Sequence, residues 1–234
     1  MNDARNRADG INVAVVGATG AVGRDLLTVL ERASLPVASF RLFASASSNG
    51  EVIEVRERAH RVRSLPSNDG VGAMFEGVDL VFMAAPAEVV RPLIPVLQDL
   101  DIPVVDIGGT VADRSPLMVP SVSMAPIADF PDTRVMCSPG APSVVLATIL
   151  SQLSDRGAVA VRGTVMLSAS SVGKAGPEEL SGQVVSLFNG KTPPRAVFAN
   201  GLAFDVMSQM GDIIEGWTSA ERRVAVEVAD VLGW

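Results

Sequence analysis

The chain has no tyrosine, one cysteine and one histidine. A single cysteine, Cys137, excludes an internal disulfide framework and fits a reducing, cytoplasmic setting. One cysteine and one histidine cannot build a Cys/His zinc site, and no metal ligand set is read from the sequence. Long apolar runs are missing too, so no membrane segment is expected. Met1 to Gly10 is polar and charged, lacks an apolar signal core and is expected to be a frayed tail. Positive charge is in short supply: 19 Lys and Arg face 26 Asp and Glu, a net charge of −7, which disfavours nucleic acid as a partner. Aromatics make up 4% of residues, so the core must be built from Val, Leu, Ala, Ile and Met. The 234 residues suffice for one or two domains with a sizeable core.

What is there is organised around Asn12 to Leu30. Val13 to Val16 is a short apolar run of the kind a strand buried on both faces shows. Gly17, Gly20 and Gly23 follow at GxxGxxG spacing, then Val22, Leu26, Leu27 and Leu30 at helical spacing. A turn without Cβ atoms lets a diphosphate approach the backbone, and the helix behind it offers unpaired N–H groups and a positive dipole end. The third glycine permits close packing of helix on strand. The competing reading is a glycine turn with no ligand.

Ser39 to Ala44 reads as a second strand, ending in Ser45-Ala46-Ser47-Ser48-Asn49-Gly50. In dinucleotide folds this strand end meets the adenosine ribose. An acidic residue there favours NAD, whereas Ser45, Ser47 and Ser48 leave room for a 2′-phosphate without supplying positive charge. A solvated loop is the plain alternative. Glu51 to Arg63 suggests a hairpin with a charged outer face, where His60 sits among arginines as a solvated residue. Val78 to Ala85 is another buried strand. Ala87 to Leu100 reads as a helix interrupted by Pro92 and Pro95, and Ile102 to Ile107 as a strand with Asp106 near its end. Strands alternating with helices imply a doubly wound α/β sheet with right-handed crossovers. Pro116 to Ser123 is extended. A second domain is expected from about Pro131, dividing the chain into 1–130 and 131–234. Within the second part Arg134 to Cys137 reads as a strand, Ser143 to Leu153 as a helix with Val145, Ile149 and Leu153 on one stripe, and Val159 to Ser168 as a strand. Thr218 to Leu232 reads as an amphipathic helix with Val224, Val228, Val231 and Leu232 inward.

Short motifs in order give a resemblance. They are Gly17-Ala18-Thr19-Gly20-Ala21-Val22-Gly23, Phe43-Ala44-Ser45 with Gly50, Asp79-Leu80-Val81-Phe82, Pro116-Leu117-Met118-Val119-Pro120 and Gly173-Lys174-Ala175-Gly176-Pro177-Glu178-Glu179-Leu180. Asn189-Gly190 and Leu202 to Gly211 follow. Together the chain resembles the aspartate-semialdehyde dehydrogenases, most of all their non-catalytic Usg-type homologues. The resemblance implies a Rossmann-type doubly wound parallel sheet followed by an α+β domain that is incomplete relative to the family. It also implies a homodimer and NADP or NAD at Gly17, Thr19, Gly20, Ala21, Val22, Gly23, Ser45, Ser47 and Gly173. The family interconverts an acyl phosphate and a semialdehyde through a cysteine thioester, with a histidine as acid/base, in amino-acid biosynthesis.

Matched residue by residue, the chemistry thins out. The family's nucleophile lies in an Asn-Pro-Asn-Cys turn opening a helix; here Ser138-Pro139-Gly140-Ala141 stands there, so Ala141 holds the nucleophile position. Cys137 lies four residues earlier, and a buried strand cysteine is its plain reading. The family's glutamine falls on Ser170, its ribose-loop arginine on Ser47 and its phosphate-binding arginine on Ala112, with Arg114 a nearby substitute. Lys174 is a substrate-like candidate, and Arg223 matches a late-helix lysine. The chain reaches Trp234 before the family's histidine and substrate arginine, so apolar surface and an open sheet edge are expected. Three readings follow: a catalytically degenerate dehydrogenase homologue with a retained or vestigial dinucleotide site; an active NADP-dependent enzyme using Cys137; and a non-enzymatic dimeric scaffold without nucleotide.

Overall fold

The structure is a computed structural model and describes residues 10–66, 70–122, 134–153 and 160–234. By its internal contacts the chain divides into two compact units. One runs to Gln152 and takes back Glu227–Trp234; the other is Leu153–Val226.

The first unit is built on β1 (Ile11–Val16), α1 (Ala21–Arg32), β2 (Val37–Ala44), β3 (Val52–Val55), β4 (Arg58–Ser64), β5 (Leu80–Met83), α2 (Ala87–Asp99), β6 (Val104–Asp106), β7 (Val135–Cys137) and α3 (Ala141–Ser151). Its seven strands form one sheet in the order β3-β4-β2-β1-β5-β6-β7. Every pairing is parallel except β3 with β4, the expected hairpin, turned by Arg56 and Glu57 at positive φ. The apolar run of β1 is explained by double coverage. Val13 and Val15 pack with Leu27 and Leu30 of α1 on one face. Ala14 and Val16 pack on the other with Val90, Leu93 and Leu97 of α2. Each such valine or leucine, fully removed from water, contributes about 1.5–3 kcal/mol.

Two helices depart from their reading. α2 is continuous through Pro92 and Pro95. Both prolines are exposed, opposite the buried Val90, Leu93 and Leu97, so solvent can serve the carbonyls they orphan while the packed face holds the helix. α3 starts at Ala141, two residues early, and buries Ser143, Ala147 and Leu150. The stripe of Val145, Ile149 and Leu153 is instead 58%, 55% and 44% exposed. The expected boundary at 130/131 falls outside the described residues. Beyond it, β7 pairs with β6 and so extends the large sheet.

The second unit holds α4 (Ala175–Phe188), the two-residue strands β8 (Ile213–Ile214) and β9 (Trp217–Thr218), and the start of α5 (Ser219–Leu232). The strand expected over Val159 to Ser168 is not seen: residues 160–168 have no strand partner among the described residues and are exposed, and 159 lies outside the described residues. Without a neighbouring strand its alternating pattern cannot become a ladder. Val228 is buried on α5 and Val224, Val231 and Leu232 are half-buried, as expected. Glu227 is buried beside them, which the pattern did not foresee.

A carboxyl on α4 organises this unit. Glu179 accepts the amides of Ala196, Val197 and Phe198 at 2.7, 2.7 and 2.8 Å. Gln183, one turn on, accepts the amides of Leu202 and Ala203 and donates to the Pro194 carbonyl. Burial alone would raise the Glu179 pKa, but the three amides and the Gln183 side chain hold it below the usual carboxylate value. A carboxyl with a lowered folded pKa stabilises above its unfolded pKa, and that contribution is lost as pH falls through the folded value. Glu179→Ala is therefore expected to speed hydrogen exchange at Ala196, Val197 and Phe198 at neutral pH, and to leave the melting temperature less acid-dependent than in the parent. Unchanged exchange at those amides would show that the loop is held by other contacts.

Candidate functional site

The carboxyl ends of the parallel strands meet along one edge of the first unit, and most of the singled-out residues lie there. The sheet order reverses about β1, with β2 on one side and β5 on the other, which is where open α/β sheets form a ligand crevice. Gly17 leaves β1 at φ +90°, and a Cβ there would strike the Ala84 carbonyl at the end of β5. The amides of Gly17 and Ala18 both bond the Phe43 carbonyl of β2, at 2.8 and 3.0 Å. Gly20 is the N-cap of α1 and offers no side-chain cap. The amides of Ala21, Val22 and Gly23 therefore lie in the first turn, where the helix supplies no acceptor. A Cβ on Gly23 would strike the Gly17 carbonyl oxygen and come within 2.9 Å of the Ala18 Cα. The third glycine thus closes the turn on itself as well as allowing helix–strand packing. Thr19 is half-buried in this turn, and its carbonyl accepts Arg24 Nε at 3.2 Å.

Ser45 and Ser47 follow β2, two and four residues after the carbonyl that receives the glycine turn. Both are exposed, and their hydroxyls pair at 2.8 Å. No acidic side chain stands at the end of β2, which finishes at Ala44. The nearest carboxyl in the chain that follows, Glu51, is taken up by Arg24 at 3.3 Å.

After β6 the chain is held by Asp106, fully buried. Its carboxyl accepts the Gly108 amide at 3.1 Å, the Thr110 hydroxyl at 3.0 Å and the Val111 amide at 3.0 Å. This folds the loop that carries Ala112 and Arg114. Ala112 packs against the core. Arg114 is exposed and 3.5 Å from Asp113, whose carboxyl also receives both terminal nitrogens of Arg91 at 2.9 and 3.2 Å. The Arg91 hydrogen bonds hold Asp113 below the usual carboxylate pKa, so Arg114 sits beside a committed negative charge.

Cys137 ends β7 directly opposite Asp106 and is 1% exposed. Its thiol donates to Asp106 Oδ2 at 3.7 Å. Burial, reinforced by the neighbouring carboxyl, pushes the thiol up to about 12. The thiolate is the reactive form, so this sulfur is shielded twice, by access and by ionisation. Ellman's reagent at pH 8 is expected to find no reactive thiol in the native protein and one after denaturation. Raising the folded pKa also fixes a sign. The unfolded chain loses the thiol proton first, so this group's stabilising contribution declines as pH rises from about 8.5 towards the folded value.

Ala141 is the first residue of α3 and is exposed. The helix mouth is occupied from another direction. Glu227 Oε2 accepts the Gly140 amide at 2.8 Å and the Ser143 hydroxyl at 2.6 Å. Sequence reading missed Glu227. The available signal was a charged residue three places from Val224 and four from Val231, on the inward stripe.

The remaining candidates belong to the Leu153–Val226 unit. Gly173 stands at φ +81° before α4, and a Cβ on Gly176 would strike the Ala169 carbonyl, so this glycine loop is tight as well. Lys174 is the N-cap of α4, exposed, and 3.4 Å from Glu178. Ser170 is exposed and pairs with Ser168 at 2.6 Å. Arg223 is exposed on α5. No group of three or more metal-ligating side chains is found among the described residues.

Residues 12–130 match a family model described as the NAD binding domain of semialdehyde dehydrogenase. Aspartate-semialdehyde dehydrogenase of Rickettsia bellii is 30% identical over 230 residues, covering 95% of this chain and 65% of that protein. The USG-1 protein homolog of Pseudomonas aeruginosa is 34% identical over 229 residues, covering 95% and 66%. Among solved structures, aspartate semialdehyde dehydrogenase II of Vibrio cholerae, complexed with ASA, superposes with a TM-score of 0.87 at 28% identity, covering 97% of this chain and 67% of that one. The chain thus spans about 65% of the length of the curated relatives it matches.

Proposed function

The chain belongs to the semialdehyde dehydrogenase family, and on that premise we propose that it is a degenerate member: a dinucleotide-binding homologue that forms no thioester. The observation that carries this reading is the exposed alanine at the first position of α3, with the chain's one thiol, Cys137, buried in the sheet. A methyl group cannot attack an acyl carbon. Loss of a covalent nucleophile costs several orders of magnitude in rate, of which oxyanion stabilisation recovers little. The buried, protonated Cys137 speaks against the alternative of an active enzyme built on that residue.

Binding is assigned to the turn from Gly17 to Gly23, with a diphosphate on the amides of α1 and the ribose towards Ser45 and Ser47. The serines admit NADP without a cation to favour it, and no carboxylate there selects NAD. Gly173 and Lys174 form the second glycine-rich loop that the resemblance links to cofactor and substrate. Arg114 and Arg223 are the positive charges nearest the family's positions. A homodimer is also proposed: Met166, Phe188, Phe204 and Val206 of the second unit are 79%, 81%, 77% and 71% exposed, more apolar surface than an isolated chain keeps in water. Among the described residues, no helix is long and apolar enough to cross a membrane.

Equilibrium dialysis against NADP and NAD tests the binding half; micromolar retention of either is expected. The purified protein given aspartate semialdehyde, phosphate and NADP should reduce no cofactor above background. Phosphate-dependent reduction would overturn the degenerate reading. Absence of any binding would leave the nucleotide-free scaffold.

A further inference from the structure

Three Asn-Gly steps occur in the chain, at 49–50, 189–190 and 200–201. Such a step is the most labile in a polypeptide, because glycine puts no side chain between its own amide nitrogen and the asparagine Cγ. The folded state treats the three differently. Asn49 Oδ1 accepts the Ser64 amide at 3.1 Å, and the Gly50 amide donates to the Val62 carbonyl at 2.9 Å. Asn189 Nδ2 donates to the Val185 carbonyl at 2.8 Å, and the Gly190 amide to the Leu187 carbonyl at 3.1 Å. In both, the electrophile and the nucleophile are each held elsewhere. Asn200 is exposed, and among the described residues neither its side chain nor the Gly201 amide makes a hydrogen bond.

From this we infer that Asn200 is a site of spontaneous covalent modification in the folded protein, and that Asn49 and Asn189 are protected. The deprotonated Gly201 nitrogen attacks Asn200 Cγ, a C–N bond forms, and the Cγ–Nδ2 bond breaks with release of ammonia, leaving a five-membered succinimide. Water then opens one of its two carbonyls, giving aspartate or isoaspartate. No oxidant or cofactor is required. The product adds a negative charge, and isoaspartate adds a methylene to the main chain. Both changes arise two and three residues before the Leu202 and Ala203 amides that Gln183 holds at 2.8 and 3.0 Å. The step is placed to loosen the loop clamped by Glu179 and Gln183, as an ageing mark on the second unit.

Trypsin places the three asparagines in separate peptides, 42–56, 175–191 and 196–222. The full chain is incubated at pH 8.5 and 37 °C, digested, and read by mass spectrometry, with isoaspartyl methyltransferase labelling to detect the isomer. Peptide 196–222 is expected to gain one mass unit at least tenfold faster than the others, a difference of about 1.4 kcal/mol in barrier. In urea the three rates should converge. Gly201→Ala is a suitable control: its Cβ would lie 4.0 Å from Gln183 Oε1, ordinary contact, and it should slow the reaction in an intact fold. Conversion of Asn49 or Asn189 as fast as Asn200 in the native protein, or an unchanged rate in Gly201→Ala, would overturn the inference.

Discussion

Gly23→Ala is expected to abolish dinucleotide retention and to lower the stability of the first unit by about 1–3 kcal/mol, the ordinary scale of overpacking. The argument is one of backbone against backbone. The added Cβ meets the Gly17 carbonyl oxygen and lies 2.9 Å from the Ala18 Cα, and neither can swing aside as a side-chain tip would. Gly17 cannot yield in its turn, because it stands at φ +90° against the Ala84 carbonyl and its amide is held by Phe43. Relief therefore requires α1 to lift from β1, which opens the contact of Leu27 and Leu30 with Val13 and Val15. Gly20→Ala is the control. Its Cβ meets only the Gly17 oxygen, at 3.3 Å, so a smaller change in melting temperature is expected. Calorimetric melting and dialysis of the two variants together check the ranking. Equal effects would show that the turn tolerates side chains and that no close approach limits Gly23.

That pair also shows which features were legible in the residues. A glycine turn between an apolar run and a helical stripe uses only local signals, and β1, the turn and α1 stand where those signals put them. Strands β1, β2, β5, β6 and β7 of the large sheet were legible because their apolar composition carries their burial, and the β3–β4 hairpin because its residues alternate beneath a charged face. Two kinds of feature were not. The first depends on partners distant in sequence. Residues 160–168 have the alternation of a strand but no partner strand among the described residues, and the stripe on α3 is apolar yet exposed. Pattern reports what a segment can bury, not whether anything is there to bury it. The second kind is the buried carboxyl. Asp106 takes up amides and a hydroxyl from the loop that follows it, Glu179 and Glu227 take up amides or a hydroxyl from segments they do not adjoin, and together they fold the loop after β6, the loop after α4 and the mouth of α3. Their sequence signal is only a charge on an apolar face, which most often means solvent. The continuity of α2 through two prolines belongs with these, since its cause is the packing of the opposite face.

Ala141→Cys carries the other large expected effect, and it separates the nucleophile from the rest of the chemistry. The introduced thiol would sit exposed at the first position of an 11-residue helix, where the dipole lowers a thiol pKa from its usual value of about 8.5. Alkylation by iodoacetamide at pH 7 is expected to be faster than that of a small-molecule thiol by several-fold or more, whereas Cys137 in the same protein stays closed. The gain is limited by Glu227, whose carboxyl already takes the Gly140 amide and the Ser143 hydroxyl at that helix mouth. Adding Glu227→Gln should raise the alkylation rate further, provided circular dichroism shows the helix retained. Turnover is a separate matter. A thioester also needs the acyl phosphate held and a proton moved. The resemblance puts Ser170 at the family's glutamine and Ser47 at its ribose-loop arginine, and Arg114 shares its neighbouring carboxylate with Arg91. The reactive thiol is therefore expected to leave semialdehyde oxidation at background. If instead a single sulfur restored NADP-dependent turnover, the substrate pocket would have to be intact, and the degeneracy would shrink from a whole site to one side chain.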